Sequence, residues 1–204
     1  MKTIRGFSMA ALIIAALALA AAFAAGQAEA PKAETPVLLA SCGQSPGPVM
    51  LKVILQKLGL KYELNSLATP ADLKAKSEVG TPYKSLIIVM GASLKGMGAA
   101  GISIDDELKR SAELIDEARK EGIKIIGAHI EGMKRRSQGA AAGDTTDEQS
   151  IDAVAPNSDL LIINKEGDSD GRFTAISRAR NIPIIVVEKN LDLLTELGKL
   201  FGKS

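Results

Sequence analysis

Two residues of this 204-residue chain are best equipped for nucleophilic or acid–base chemistry, its single cysteine and its single histidine. Cys42 lies in residues 38–47, LLASCGQSPG, where several readings compete. A thiol at a helix N-terminus ionises more readily, because unpaired amides and the positive dipole end favour the thiolate. Cys42 or Ser45 with His129 as base would then make a hydrolase or transferase, although no G-x-S-x-G elbow surrounds Ser45. CGQS is also the C-x-x-S pattern of thioredoxin-like redox proteins, but that fold turns to an antiparallel hairpin after its proline, and this chain continues past Pro82 with further strand–helix units. LASC matches a lipobox, yet a lipobox cysteine must follow the apolar leader directly, and GQAEAPKAETP intervenes. The plainest reading is a strand-to-helix turn in which the thiol packs, as free cysteines commonly do.

The same turn offers a second chemistry. Gly43 permits close backbone approach, Gln44 provides donor and acceptor, Ser45 brings a hydroxyl, and the helix that follows favours an anion. A second glycine-rich connection, residues 91–103 (GASLKGMGAAGIS), contributes Gly91, Ser93, Lys95 and Gly96 as an open surface able to wrap a small polar molecule. Its glycines miss the G-x-G-x-x-G spacing, so no dinucleotide cofactor is expected. His129 and Glu131 lie on one side of an extended segment, suited to ligand contact or proton transfer. A lone histidine without a second nitrogen or sulfur ligand argues against zinc, and no metal is expected. Arg135 and Arg136 suit a carboxylate or phosphate, and the glycines of 139–143 could hinge a lid. Asp168 and Asp170 fall short of a calcium loop; they read as a turn leading into a helix, with Asp170 as its cap.

Positioning these loops requires a sheet. Short apolar runs recur at 36–40, 61–64, 85–90, 123–128, 159–164 and 182–188, and the last four are almost continuous in Ile, Leu and Val. That pattern suits strands covered on both faces, as in a parallel sheet between helices. Helical stretches fall between them, the clearest over 105–121, where Asp105, Asp106 and Glu107 complement the dipole and Gly122 stops the helix. Thr69-Pro70 reads as a cap followed by proline at the first helical position. The alternation predicts an α/β fold: a doubly wound, mostly parallel sheet of five or six strands, a flavodoxin-like or Rossmann-like three-layer sandwich. The expected order is 2-1-3-4-5, with a sixth strand at the far edge. Ligands of such sheets sit beyond the carboxyl ends of the strands where the winding reverses, here between strands 1 and 3.

The chain ends bound the setting. Lys2 and Arg5, an apolar stretch over 7–25 and small residues after it have the layout of a secretory signal peptide over residues 1–25, with an uncleaved anchor as the alternative. A linker over 26–35 and one α/β domain over 36–204 follow, so the domain is expected outside the cytoplasm. Without residues 1–30 the chain has 23 basic and 23 acidic residues, and it contains no tryptophan. That neutrality and the scarcity of stacking aromatics argue against a nucleic-acid partner. One cysteine allows no internal disulfide, so stability must come from the core.

The runs PVLLASCGQSPGPVMLKVILQKLGLKYEL, LIIVMGASLKGMGAAGISIDDEL, GIKIIGAHIEG, IDAVAPNSDLLI and NIPIIVVE together resemble a secreted bacterial family catalogued as domain of unknown function 6305. The G-Q-S-P and G-x-S-x-K-G-x-G-A-A-G-I segments are the most specific. The resemblance implies export and an α/β fold, and it implies no activity.

The residues thus lead to an exported binding module that holds a small polar or anionic molecule at the switch point. Gly43, Gln44, Ser45, Gly91, Ser93, Lys95, Gly96, His129 and Glu131 are its expected contacts. Service to a membrane transporter is a conceivable role, and the hydrolase or transferase built on Cys42 or Ser45 with His129 is the competing one.

Overall fold

The computed structural model describes residues 31–137 and 145–203. The expected signal peptide and the hinge glycines of 139–143 lie outside the described residues. Six strands carry the framework: β1 (Val37–Cys42), β2 (Tyr62–Leu64), β3 (Ser85–Met90), β4 (Lys124–His129), β5 (Leu160–Asn164) and β6 (Ile184–Val187). They form one sheet in the order β2-β1-β3-β4-β5-β6, and every neighbouring pair is parallel. This is the doubly wound sheet expected from the sequence, with its sixth strand at the far edge.

Among the described residues six α-helices lie between the strands and a seventh follows the last: α1 (Gly47–Lys57), α2 (Pro70–Glu78), α3 (Leu94–Ala100), α4 (Ile104–Lys120), α5 (Thr146–Val154), α6 (Arg172–Arg180) and α7 (Leu193–Leu200). All residues of β1, β3 and β5 are buried, which is why their sequences lack polar alternation. Leu38, Ala40 and Cys42 face a core built with Leu73 of α2, Leu114 of α4, Ile151 of α5 and Phe173 of α6. Val37 and Leu39 face the other core, with Leu51 and Leu55 of α1 and Leu193 and Leu197 of α7. Each such fully buried Leu or Ile contributes roughly 1.5–3 kcal/mol.

Local signals set several helix ends. Thr69 and Asp72 close a capping box at α2, with Pro70 at the first helical position. Ser103 and Asp106 do the same for α4. The glycine-rich connection after β3 differs from the open loop expected, because it contains α3. Ser93 accepts a hydrogen bond from the Gly96 amide at 3.1 Å, and Met97 anchors the helix in the interior. Packing also begins before Pro36: the Ala33 amide donates to the Leu200 carbonyl at 2.9 Å, and the Ser85 hydroxyl donates to the Glu34 carbonyl at 2.8 Å. No helix among the described residues is long and apolar enough to cross a membrane.

Candidate functional site

The connections after β1 and β3 meet at the carboxyl rim, as the winding rule requires, and their backbones touch. The Gly91 amide donates to the Cys42 carbonyl at 3.2 Å, the Ser93 amide to the Gly43 carbonyl at 2.7 Å, and Gln44 bridges Ala92 in antiparallel fashion. Glycine makes this possible. A Cβ on Gly43, whose φ is +108°, would lie 2.4 Å from the Gly91 carbonyl oxygen, and one on Gly96 would lie 2.1 Å from that of Gln44. The structure therefore brings Gly43, Gln44, Gly91, Ser93 and Gly96 together, but backbone groups of the two loops hold each other, the Ser93 hydroxyl caps α3, and the Gln44 side-chain amide donates to Glu107 and the Ser66 carbonyl. Ser45 is buried, its hydroxyl accepting from the Gly47 amide at 3.3 Å, and Lys95 projects from α3 as an exposed residue.

Beneath this clasp lies an ion pair that sequence reasoning missed. Glu107, fully buried, accepts from the Gly43 amide at 2.7 Å and from Gln44 Nε2 at 2.8 Å. Arg110 pairs with it at 2.9 Å and donates to the Ser41 and Ala68 carbonyls at 2.5 and 2.6 Å. In sequence Glu107 reads only as a dipole-complementing acid of the first helical turn. Its one hint was an arginine three residues on, placed for a helical pair.

The anion-favouring start of α1 is already occupied by an anion of the chain itself. Glu131, in the loop after β4, accepts from the Gly47 amide at 3.0 Å and pairs with Arg135 at 3.3 Å. Arg135 in turn donates to the Ala92 carbonyl at 2.9 Å, so three connections are tied at one point. Next to this tie a crevice of about 530 Å³ opens at the carboxyl edge. The loops after β1, β4, β5 and β6 all reach it, through residues that include Pro46, Glu131, Asn164 and Asn190. Two amides lock its floor. Asn164 Nδ2 donates to Asn190 Oδ1 at 3.2 Å, and Asn190 Nδ2 donates to the Ile130 carbonyl at 2.9 Å. Of the residues expected to bind ligand, Glu131 and Arg135 line this crevice. Sequence patterns had pointed mainly to the loops after the first, third and fourth strands and missed Asn190, whose only signal was polarity just beyond a strand's carboxyl end.

His129 is fully buried and does not face the crevice with a free nitrogen. Its Nε2 lies 2.9 Å from the Arg135 carbonyl, which can only accept, so this nitrogen carries the proton. Among the described residues Nδ1 has no hydrogen-bond partner, and it is crowded by Gly167, where an added Cβ would come within 2.6 Å. The ring packs 4.9 Å from that of Phe173, and burial holds the imidazole pKa below its ordinary value. Burial likewise pushes the Cys42 thiol up to about 11. The expected pairing of Cys42 or Ser45 with a His129 base is therefore not assembled. The thiol is protonated, and neither ring nitrogen is hydrogen-bonded to Cys42 or Ser45.

Arg136, expected to reach for an anion, is likewise committed. Its side chain is 1% exposed, pairs with Glu148 at 2.8 Å and Asp170 at 2.6 Å, and donates to the Gly167 carbonyl. The cap of α6 also differs from expectation: Asp168 accepts from the Phe173 amide at 2.7 Å and the Thr174 amide at 3.2 Å, while Asp170 accepts from the Arg172 amide at 3.2 Å. No group of three or more His, Cys, Asp or Glu side chains among the described residues is placed to hold a metal ion.

Fold and site together define a parallel α/β domain with a polar crevice at the carboxyl edge of its sheet. Over residues 34–201 the chain matches the model of the family described as domain of unknown function 6305, and it belongs to that family. Among solved structures it is similar to the crystal structure of an acetyl xylan esterase, AlAXEase, with 12% identity and a TM-score of 0.36 over 83% of this chain and 87% of that one. A likeness at that level bears on neither reaction nor substrate. No curated protein matches the chain.

Proposed function

We propose that this chain is an exported α/β binding protein that holds a small polar or anionic molecule in the carboxyl-edge crevice. One observation carries the reading: four loops converge there, with buried or half-buried polar groups fixed by Asn164, Asn190 and the Glu131–Gly47 contact. Preformed concave sites with a few oriented polar groups are what small-molecule binding requires. Export is supported by the basic, apolar and small-residue sequence of 1–30.

Thermal denaturation of the full chain against a panel of carboxylates, phosphates, sugars and amino acids tests the binding reading. A ligand at a hundred times its Kd stabilises the folded state by about 2.7 kcal/mol. Met50 is exposed and lines the crevice, so Met50→Trp should fill it without touching the polar ties and should abolish the shift. A panel without a shift, or a hit that Met50→Trp leaves intact, overturns the proposal. Finding the unprocessed chain in the cytoplasm would overturn export.

A further inference from the structure

The charges that line the crevice specify what kind of molecule it takes. Two acids, Glu131 and Glu166, and two bases, Lys134 and Arg135, surround it, so the lining is electrically balanced. Glu131 and Arg135 are engaged with each other and with backbone groups. Glu166 and Lys134 have no ion pair or hydrogen bond through their side chains among the described residues. One unengaged carboxylate and one unengaged ammonium thus remain, beside an apolar wall of Pro46, Met50 and Ile130.

Glu166 is presented from a fixed turn. Its amide donates to Asn164 Oδ1 at 3.0 Å, and Asn164 is itself held by Asn190. Gly132, with φ +59°, leaves room above it for the carboxylate, since a Cβ there would lie 2.9 Å from Glu166 Oε2. A purely anionic ligand would meet two carboxylates in this crevice, and a purely cationic one would meet the two bases. Only a ligand with both charges meets an opposite partner at each end. We infer that the crevice binds a small zwitterion with an apolar portion, the layout of an apolar α-amino acid, its ammonium on Glu166 and its carboxylate on Lys134. This inference rests on the crevice being the binding site.

Calorimetric titration of the full chain with L-leucine, 4-methylpentanoate and 3-methylbutylamine separates the charges at constant hydrocarbon. Leucine should bind at least about tenfold more tightly than either analogue. Glu166→Gln should erase its advantage over 4-methylpentanoate, and Lys134→Met its advantage over 3-methylbutylamine. Both side chains are exposed, so neither change threatens the fold. An analogue that equals leucine, or an advantage that survives both substitutions, overturns the inference. If citrate or phosphate binds in a Met50→Trp-sensitive way and leucine does not, the zwitterion falls while the crevice stands. Binding by none of these compounds removes both.

Discussion

Glu131 sets a carboxylate oxygen 3.0 Å from the amide nitrogen of Gly47, closing the start of α1 with a charge from the loop after β4. The side chain is 8% exposed, so water replaces little of what its removal would cost. Glu131→Ala leaves the Gly47 amide only the Ser45 hydroxyl at 3.3 Å and the Arg135 guanidinium only the Ala92 carbonyl, and it should destabilise the fold by about 2 kcal/mol. Glu131→Gln keeps a neutral acceptor and should cost about half as much. Urea denaturation midpoints at constant m-value check both.

The clasp between the first and third connections predicts opposite effects for two glycines. Gly43→Ala places a methyl 2.4 Å from the Gly91 carbonyl oxygen at a backbone φ of +108°, and a loss of about 3 kcal/mol is expected. Gly98→Ala meets nothing within 4 Å inside α3 and should stabilise by up to about 1 kcal/mol, because alanine is the better helix former. Thermal melts of the two variants should therefore move in opposite directions.

Acid should weaken the fold through His129. Burial keeps its folded-state pKa below the ordinary value of 6.5, so as pH falls the unfolded chain takes up the proton first. The contribution is complete above that value and is lost as pH falls through the folded pKa, with a slope of at most about 1.4 kcal/mol per pH unit. His129 is the only histidine, so His129→Phe should flatten stability between about pH 5 and 7.

Cys42, buried at the end of β1 with its thiol pushed up to about 11, should resist reagents that need a thiolate. Labelling by a disulfide-exchange dye at pH 8 should be negligible in the folded protein and stoichiometric in denaturant. Rapid labelling of the folded chain would restore a reactive-thiol reading.

Much of the fold was legible because hydrophobic continuity reports burial directly. Runs such as SLIIVM and DLLIIN could only be strands covered on both faces, and the strand order followed from the winding of alternating elements. Residue-level roles were less legible where tertiary contact overrides local preference. Gly96 and Gly98 disguised α3 as a loop, and the Ser93 cap and buried Met97 stabilise it nonetheless. Glu107 read only as an acid complementing the helix dipole because nothing in one helix reveals that the Gly43 amide comes down on it. The crevice lies toward β4, β5 and β6 rather than between β1 and β3, because the small residues that suggested an opening allow the two backbones to close it.

An all-parallel sheet also governs how the chain must be assembled. No two adjacent strands are joined by a hairpin, so every pairing waits for a complete crossover to emerge, and the β1–β3 pair waits for β2 and two helices as well. Such non-local closure is slow. During biosynthesis the strand edges stay unpaired for longer than in a hairpin-built domain, which leaves apolar segments open to aggregation until this sheet is complete.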